Sequence, residues 1–177
     1  LSTFKRINQK CCDIIFTWSP HFIKTNFSNY PFKKIYPVGF PSDHYFEEIR
    51  NEKIDNIAEK SNFRISYADN IFYNDINYGK SVSRKILKMF IRLLKKHLNL
   101  VLFLKPKSKS HFENLKKQIP LLQKYINDNR IKVFFGSGFN EKYNPAKLAK
   151  ISNLVVGLGV SSVAAESSFF GTNSFHF

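Results

Sequence analysis

Short apolar runs alternate with longer amphipathic stretches, and this alternation is the sequence feature that most limits the possible fold. Residues 100–104 form a continuous apolar run, which is typical of a strand covered on both faces. A stretch that begins near Ser81 or Ser83 carries apolar residues at helical spacing, namely Ile86, Met89, Phe90, Leu93 and Leu94. From residue 63 onwards, the strand–helix repeats predict a parallel sheet with helices on both faces, an α/β, Rossmann-like fold.

The same alternation places the individual elements. Strands are predicted at residues 13–17, 34–38, 63–67, 100–104, 131–135, 153–156 and 173–177. Helices are predicted at residues 109–127, 145–151 and 161–170, and Pro120 predicts a kink or two separate helices in the first of these.

A polar stretch at residues 56–62 predicts a domain boundary. Residues 1–58 are expected to be the end of one Rossmann-like domain and its linker, and residues 59–177 an incomplete second domain. Because the chain begins without Met and ends in a strand-like segment, we expect a fragment that is truncated at both ends.

The formal net charge of +15 has two open interpretations. It indicates attraction to polyanions such as anionic lipid headgroups or a nucleotide-linked substrate, or it reflects a genome biased towards AT-rich codons. Nucleic-acid binding is disfavoured, because the Lys residues are spread along the chain and only six of the 28 basic residues are Arg.

No metal site or other cofactor is expected. The two cysteines, Cys11 and Cys12, are adjacent, which indicates thiols in a reducing compartment, and the five His residues have no metal-binding spacing. No apolar run approaches the roughly 20 residues that cross a bilayer, so we expect a cytoplasmic protein.

The segment from Gly157 to Gly171 is the strongest functional candidate. A strand runs into a turn with Gly159, then into a helix that begins near Ser161 and Ser162, where backbone N–H groups and the helix dipole favour a phosphate. Glu166 lies one turn further on, where its carboxylate can accept hydrogen bonds from two neighbouring ribose hydroxyls. The alternative is an ordinary turn and helix cap with a solvated glutamate.

This segment, with Ser-Ser-Val-Ala-Ala-Glu followed by Phe-Phe-Gly-Thr-Asn-Ser-Phe, resembles the C-terminal domain of GT-B glycosyltransferases. Residues 13–19 and 35–41 resemble the last strands of the first domain in surface-polysaccharide transferases. The resemblance implies that Ser161 and Ser162 contact the donor phosphates and that Glu166 contacts the ribose. Gly171 matches a loop glycine of that family, whereas Thr172 and Asn173 replace its commoner Lys/Val-Pro.

Three further strand ends are candidate binding positions. Asp69 and Asn70 follow one strand and could hold a donor or acceptor hydroxyl, or could simply form a turn. By the resemblance, Lys105 would neutralise phosphate on the leaving group, with a solvated lysine as the alternative. Gly136 would offer backbone contacts to the nucleotide base.

The sequence therefore favours a bacterial glycosyltransferase fragment that binds a nucleotide-sugar and serves surface polysaccharide or lipopolysaccharide biosynthesis. Its acceptor would be a glycan or a lipid-linked molecule, and its basic surface would contact the anionic cytoplasmic face of the inner membrane. The missing half of the cleft would leave the fragment inactive alone. The alternatives are a nucleotide-sugar epimerase of the same fold, with Asp69 and Asp75 as its acidic candidates, and a non-enzymatic module that binds RNA or another polyanion.

Overall fold

The structure is a computed structural model that describes residues 13–17, 19–21, 34–39, 43–54, 57–59, 62–69, 76–136, 141–158 and 162–176. The chain divides into two compact units, residues 1–47 and 48–177. In the first unit, the two apolar runs form the predicted strands β1 (Ile14–Thr17) and β2 (Lys34–Pro37), and these strands pair in parallel. Helix α1 (Asp43–Asn51) begins in the first unit and ends in the second.

The second unit is built on a five-stranded parallel sheet. Its strands are β3 (Phe63–Ala68), β4 (Leu100–Lys105), β5 (Ile131–Val133), β6 (Leu154–Gly157) and β7 (Asn173–His176). The order across the sheet is β5-β4-β3-β6-β7, and every neighbouring pair is parallel. Along the chain, β4 and β5 are added on one side of β3, and β6 and β7 are then added on its other side. This is a Rossmann-like strand order. The predicted α/β fold is confirmed.

Helices cover both faces of this sheet because successive strand residues point to opposite sides. Helices α2 (Ile76–Lys96), α3 (Lys109–Gln118) and α4 (Leu121–Asn127) cover one face, and α5 (Pro145–Ile151) and α6 (Val163–Phe169) cover the other. On the first face, side chains from all three helices surround the strands, including Phe90, Leu94, Phe112 and Leu122. Burying each such side chain fully contributes about 1.5–3 kcal/mol.

The second face carries a smaller core. Phe103 of β4 packs against Leu148 of α5, and Val155 of β6 packs against Ala149 of α5 and Val163 of α6. All six residues of β4 are buried, and the uninterrupted apolar run predicted this for the first five, residues 100–104, but not for Lys105.

The start of α2 differs from the prediction, because the helix begins at Ile76, before both Ser81 and Ser83. Ser83 is fully buried, and its hydroxyl donates a 2.6 Å hydrogen bond to Asp69 Oδ1. A serine that was expected to cap the helix is therefore a buried residue inside it, held by a side chain from β3's carboxyl end.

Pro120 separates two helices, as predicted. Helix α3 ends at Gln118, and the N–H of Ile119 donates to the carbonyls of Leu115 and Lys116. Helix α4 then begins at Leu121 with Pro120 as its N-terminal flanking residue. Proline fits this place because the first turn of a helix has no intrahelical acceptors for its N–H groups.

Residues just after the first unit pack against α5. Lys150 Nζ donates to the carbonyls of Ile49, Arg50 and Glu52 at 2.7–2.8 Å, and Lys147 Nζ pairs with Glu52 Oε1 at 2.8 Å. The domain boundary predicted at residue 58 stays a prediction.

Candidate functional site

The strand order creates a switch point between β3 and β6. These strands are neighbours, yet the chain leaves β3 for α2 on one face and leaves β6 for α6 on the other. In open α/β sheets, a crevice opens at the carboxyl ends of two such strands, and ligands bind there. Asp69 directly follows β3, and Leu158 directly follows β6, so both lie at this edge.

Not every predicted site residue is described. Asn70, Gly159 and Ser161 lie outside the described residues, as does Asp75, and their roles stay predictions. The described candidates are Asp69, Lys105, Gly136, Ser162 and Glu166. All of them lie at the carboxyl ends of strands or in the segments that follow.

Ser162 and Glu166 are joined at the beginning of α6. The Ser162 hydroxyl donates to Glu166 Oε1 at 2.9 Å, and the Glu166 N–H donates to the Ser162 carbonyl at 2.9 Å. Ser162 has helical backbone angles, and its side chain does not cap the helix. The sequence spacing of one turn therefore does bring the two side chains together.

The second carboxylate oxygen of Glu166 has a different environment. Oε2 is buried and accepts no hydrogen bond from the part of the chain that the structure describes. Burial raises the pKa of the Glu166 carboxyl, and the hydrogen bond from Ser162 opposes this rise. An unsatisfied buried acceptor costs about 1–3 kcal/mol.

Gly157, the last residue of β6, lies against the side chain of a residue on the neighbouring strand β7. It pairs in register with His176 of β7, and a Cβ on Gly157 would overlap the His176 imidazole. The imidazole therefore occupies the space beside β6 that a larger residue would need. This explains one glycine of the turn by packing alone, without a ligand.

Asp69 is the centre of a buried polar network. Its Oδ1 accepts hydrogen bonds from Ser83 Oγ at 2.6 Å and from Tyr67 OH at 3.2 Å. Its backbone N–H donates to the Lys105 carbonyl at 3.0 Å. Burial first, and then the negative charge of Asp69, raise the pKa of Tyr67. One carboxylate oxygen of Asp69 is thus occupied by the protein itself.

His111 completes this network from the first turn of α3. Its Nε2 lies 3.3 Å from Asp69 Oδ2, and the side chains of both residues are almost fully buried. The distance is that of an ion pair, while Nε2 makes no hydrogen bond of good geometry within the described residues. The epimerase alternative requires an acidic residue and a histidine in the cleft, and this pair supplies both residue types.

Sequence reasoning missed His111, Tyr67 and Ser83. A signal for two of them was present, since Ser83 precedes Leu87 and Leu94 on the buried stripe of α2, and His111 precedes Leu115 on that of α3. Polar residues on an apolar stripe require a buried partner. The partner itself, Asp69, could not be identified without the sheet order.

Lys105 ends β4 with its side chain buried. Its Nζ donates to the carbonyls of Tyr143 at 2.9 Å and Phe135 at 3.3 Å, so it ties together two segments at the carboxyl edge. Burial lowers the pKa of the Lys105 ammonium, and the charge of Glu141 opposes this. The predicted contact with a leaving phosphate stays a prediction.

Gly136 follows β5 with a positive φ of 84°. A Cβ there would lie 2.5 Å from Glu141 Oε1, so the carboxylate approaches the backbone closely. Gly171, the loop glycine named above, also has a positive φ, 68°, and ends α6 by donating to the Ser168 carbonyl. Both conformations favour glycine over other residues. A contact between Gly136 and a nucleotide base stays a prediction.

A groove of about 660 Å³ lies at the opposite, amino edge of the sheet. Its lining includes Asn62, Leu98, Val101, Arg130 and Lys132. The Arg130 guanidinium is engaged, because it donates to the carbonyls of Leu94, His97 and Leu100 at the end of α2.

Among the described residues, no three His, Cys, Asp or Glu side chains are grouped to hold a metal ion. Within the same residues, no helix is long and apolar enough to cross a bilayer.

Comparison with known proteins gives few matches. No family model matches the chain, and no curated protein matches it. Among solved structures, it is similar to Thermosulfurimonas dismutans KpsC, beta Kdo 2,4 transferase, with a TM-score of 0.41 and 11% sequence identity. The match covers 78% of this chain and 46% of that chain, so this chain spans less than half of that chain's length.

Proposed function

We propose that this chain is the donor-binding part of a GT-B glycosyltransferase and that it holds a nucleotide-activated sugar at the carboxyl edge between β3 and β6. The proposal rests on the position and surroundings of Glu166, which lies on α6 directly beyond the switch point. One of its carboxylate oxygens accepts a hydrogen bond from Ser162, and the other is buried. A pair of ribose hydroxyls is a ligand that a carboxylate binds well, because both hydroxyls donate.

The remaining parts of the donor follow from this placement. The turn with Gly159, Ser161 and Ser162 would face the phosphates, and Gly136 and Asn70 would lie nearer the base and the sugar. Asp69 would hold the carboxyl end of β3 against α2 and the first turn of α3, through Ser83 and His111, because one of its oxygens is already occupied. The phosphate charge on the leaving nucleotide would be stabilised electrostatically, with Lys105 as a contributor and with no metal.

The pathway that we propose is the biosynthesis of surface polysaccharide or lipopolysaccharide, with a glycan or lipid-linked acceptor. We place the acceptor-activating base outside this chain, so the chain alone would bind the donor without transferring the sugar. Binding, and not turnover, is therefore the property to measure.

Calorimetric titration with a panel of nucleoside diphosphates and nucleotide-sugars tests the proposal. We expect saturable binding with a preference for one base, and Glu166→Ala should weaken it by about tenfold or more, because a hydrogen bond to a charged group is lost. Glu113→Ala removes a partly exposed carboxylate from α3 and is the matched control, with unchanged affinity. Absence of nucleotide binding, or equal losses in the two variants, would overturn the proposal.

A further inference from the structure

The positive charge of the chain is concentrated in one part of the sequence. Residues 76–127 contain 13 Lys and Arg residues and a single acidic residue, Glu113. This segment therefore holds +12 of the net +15 charge in less than a third of the chain. A uniform codon bias would not confine the excess to one segment.

The structure gathers these residues on one side of the second unit. Helices α2, α3 and α4 pack side by side on the same face of the sheet, and their apolar side chains point inwards. The outward side chains include nine exposed basic residues: Arg84, Lys85, Lys88, Arg92, Lys95, Lys96, Lys109, Lys117 and Lys124. We call this set the basic face. On α2 its members recur at every third or fourth position, so they form a stripe along the helix.

The opposite face of the sheet lacks this excess. There, Lys147 pairs with Glu52 at 2.8 Å, and Lys150 is bound by three backbone carbonyls. On the basic face, Glu113 pairs with Lys116 at 3.0 Å and leaves the nine exposed residues outweighing it. The two faces of one small unit thus differ strongly in charge, which orients such a unit towards an anionic surface.

Exposed aliphatic side chains accompany the basic face. Leu98, two residues after α2, is 83% exposed, and Leu121, the first residue of α4, is 52% exposed. Among the described side chains of residues 81–130, these two are the exposed large hydrophobic residues, and Phe135, which is 39% exposed, packs beside α3 with its ring 5.8 Å from that of Phe112. Single-stranded nucleic acid is bound mainly by exposed aromatic rings and Arg, whereas aliphatic side chains among lysines suit a lipid headgroup layer.

We propose that the basic face of α2, α3 and α4 docks on an anionic lipid bilayer, with Leu98 entering the headgroup layer. Lysine ammonium groups bind lipid phosphates as point charges and need no fixed geometry, which fits a face with seven Lys and two Arg residues. The proposal stands on charge and exposure alone and does not depend on nucleotide binding.

Sedimentation with lipid vesicles tests the docking surface directly. The full chain is mixed with vesicles of phosphatidylcholine alone and with vesicles of phosphatidylcholine and phosphatidylglycerol. We expect binding to the anionic vesicles only, and weaker binding as salt is raised.

The double variant Lys88→Gln/Lys95→Gln should lower the partition coefficient by about thirtyfold at low salt. Leu98→Ser should weaken binding with little change in its salt dependence.

The double variant Lys53→Gln/Lys142→Gln is the matched control, because it removes two exposed charges away from the basic face. It should bind vesicles within about twofold of the unmodified chain, since headgroup attraction falls off within a Debye length. Equal losses in the two double variants, or equal binding to neutral vesicles, would overturn the proposal. The proposal would also be overturned if the chain bound no vesicles but bound a single-stranded RNA, and if Lys88→Gln/Lys95→Gln abolished that RNA binding.

The nucleotide affinity of Lys88→Gln/Lys95→Gln, measured by calorimetry, should equal that of the unmodified chain. This measurement separates the docking proposal from the proposed function.

Discussion

Two carboxylates at the same edge of the sheet, Asp69 and Glu166, have opposite surroundings. Asp69 is enclosed by donors from Tyr67 and Ser83 and lies beside His111. Glu166 has a single described donor, the Ser162 hydroxyl, and its second oxygen is buried. The first arrangement stabilises the fold, whereas the second leaves a buried acceptor without a described donor, at a cost to stability.

That cost leads to a pH-dependent prediction for Glu166→Gln. Burial raises the pKa of the Glu166 carboxyl in the folded state, so folding favours the protonated form. This contribution is fully present below the unfolded pKa and is lost as pH rises through the folded pKa. At neutral pH, Glu166→Gln should therefore have a larger free energy of unfolding than the unmodified chain, and the difference should disappear in acid.

Urea unfolding of both proteins at neutral and acidic pH measures this difference. Glu113→Gln alters a partly exposed carboxylate and should show no gain at neutral pH. A variant Glu166→Gln that is less stable than the unmodified chain at neutral pH would contradict this account of Glu166.

At the scale of the elements, the junction of β6 with its neighbours is fixed by Gly157. The strand ends beside the His176 imidazole on β7, and a Cβ on Gly157 would require this ring to move. The sequence showed glycines in this turn and suggested a ligand as the reason for them. For Gly157 the reason is a neighbouring side chain that comes from the next strand.

Gly157→Ala is expected to destabilise the chain by about 1–3 kcal/mol, because the added methyl group overlaps a packed ring. The free energies of unfolding of Gly157→Ala, His176→Ala and the double variant form a double-mutant cycle. Removing the imidazole should relieve the overlap, so the double variant should be more stable than the two single effects added together predict. Strictly additive effects would show that the imidazole is not the obstacle.

The elements themselves were largely predictable; β5 ends at Val133, two residues before its predicted end, and the start of α2 also differs. Residues 100–104 and 145–151 matched their elements closely because apolar periodicity and Pro145 are local signals. The predicted start of α2 was wrong because the Ser83 hydroxyl donates its hydrogen bond to Asp69, 14 residues away, and does not cap the end of its own helix. Local sequence cannot show that a polar side chain has a partner on another element.

At the scale of the whole molecule, the order β5-β4-β3-β6-β7 decides where a ligand can bind. The alternation of strands and helices predicted a parallel sheet, but it did not predict which strands are neighbours. Only the order shows that Asp69 and the Ser162–Glu166 pair border the same switch point. In the same way, the packing of α2, α3 and α4 places the exposed basic residues of these three helices on one face of the sheet.

The most direct test of the central claim is to locate a bound nucleotide on the ¹⁵N-labelled full chain by NMR titration. We expect the preferred nucleotide to shift the amide signals of residues 156–158 and 162–166, together with that of Asp69, and to leave those at the amino edge unchanged. The groove beside Asn62, Val101 and Arg130 is the competing location in the same molecule. Shifts confined to that groove or to the basic face, with the signals of Ser162 and Glu166 unmoved, would contradict the account.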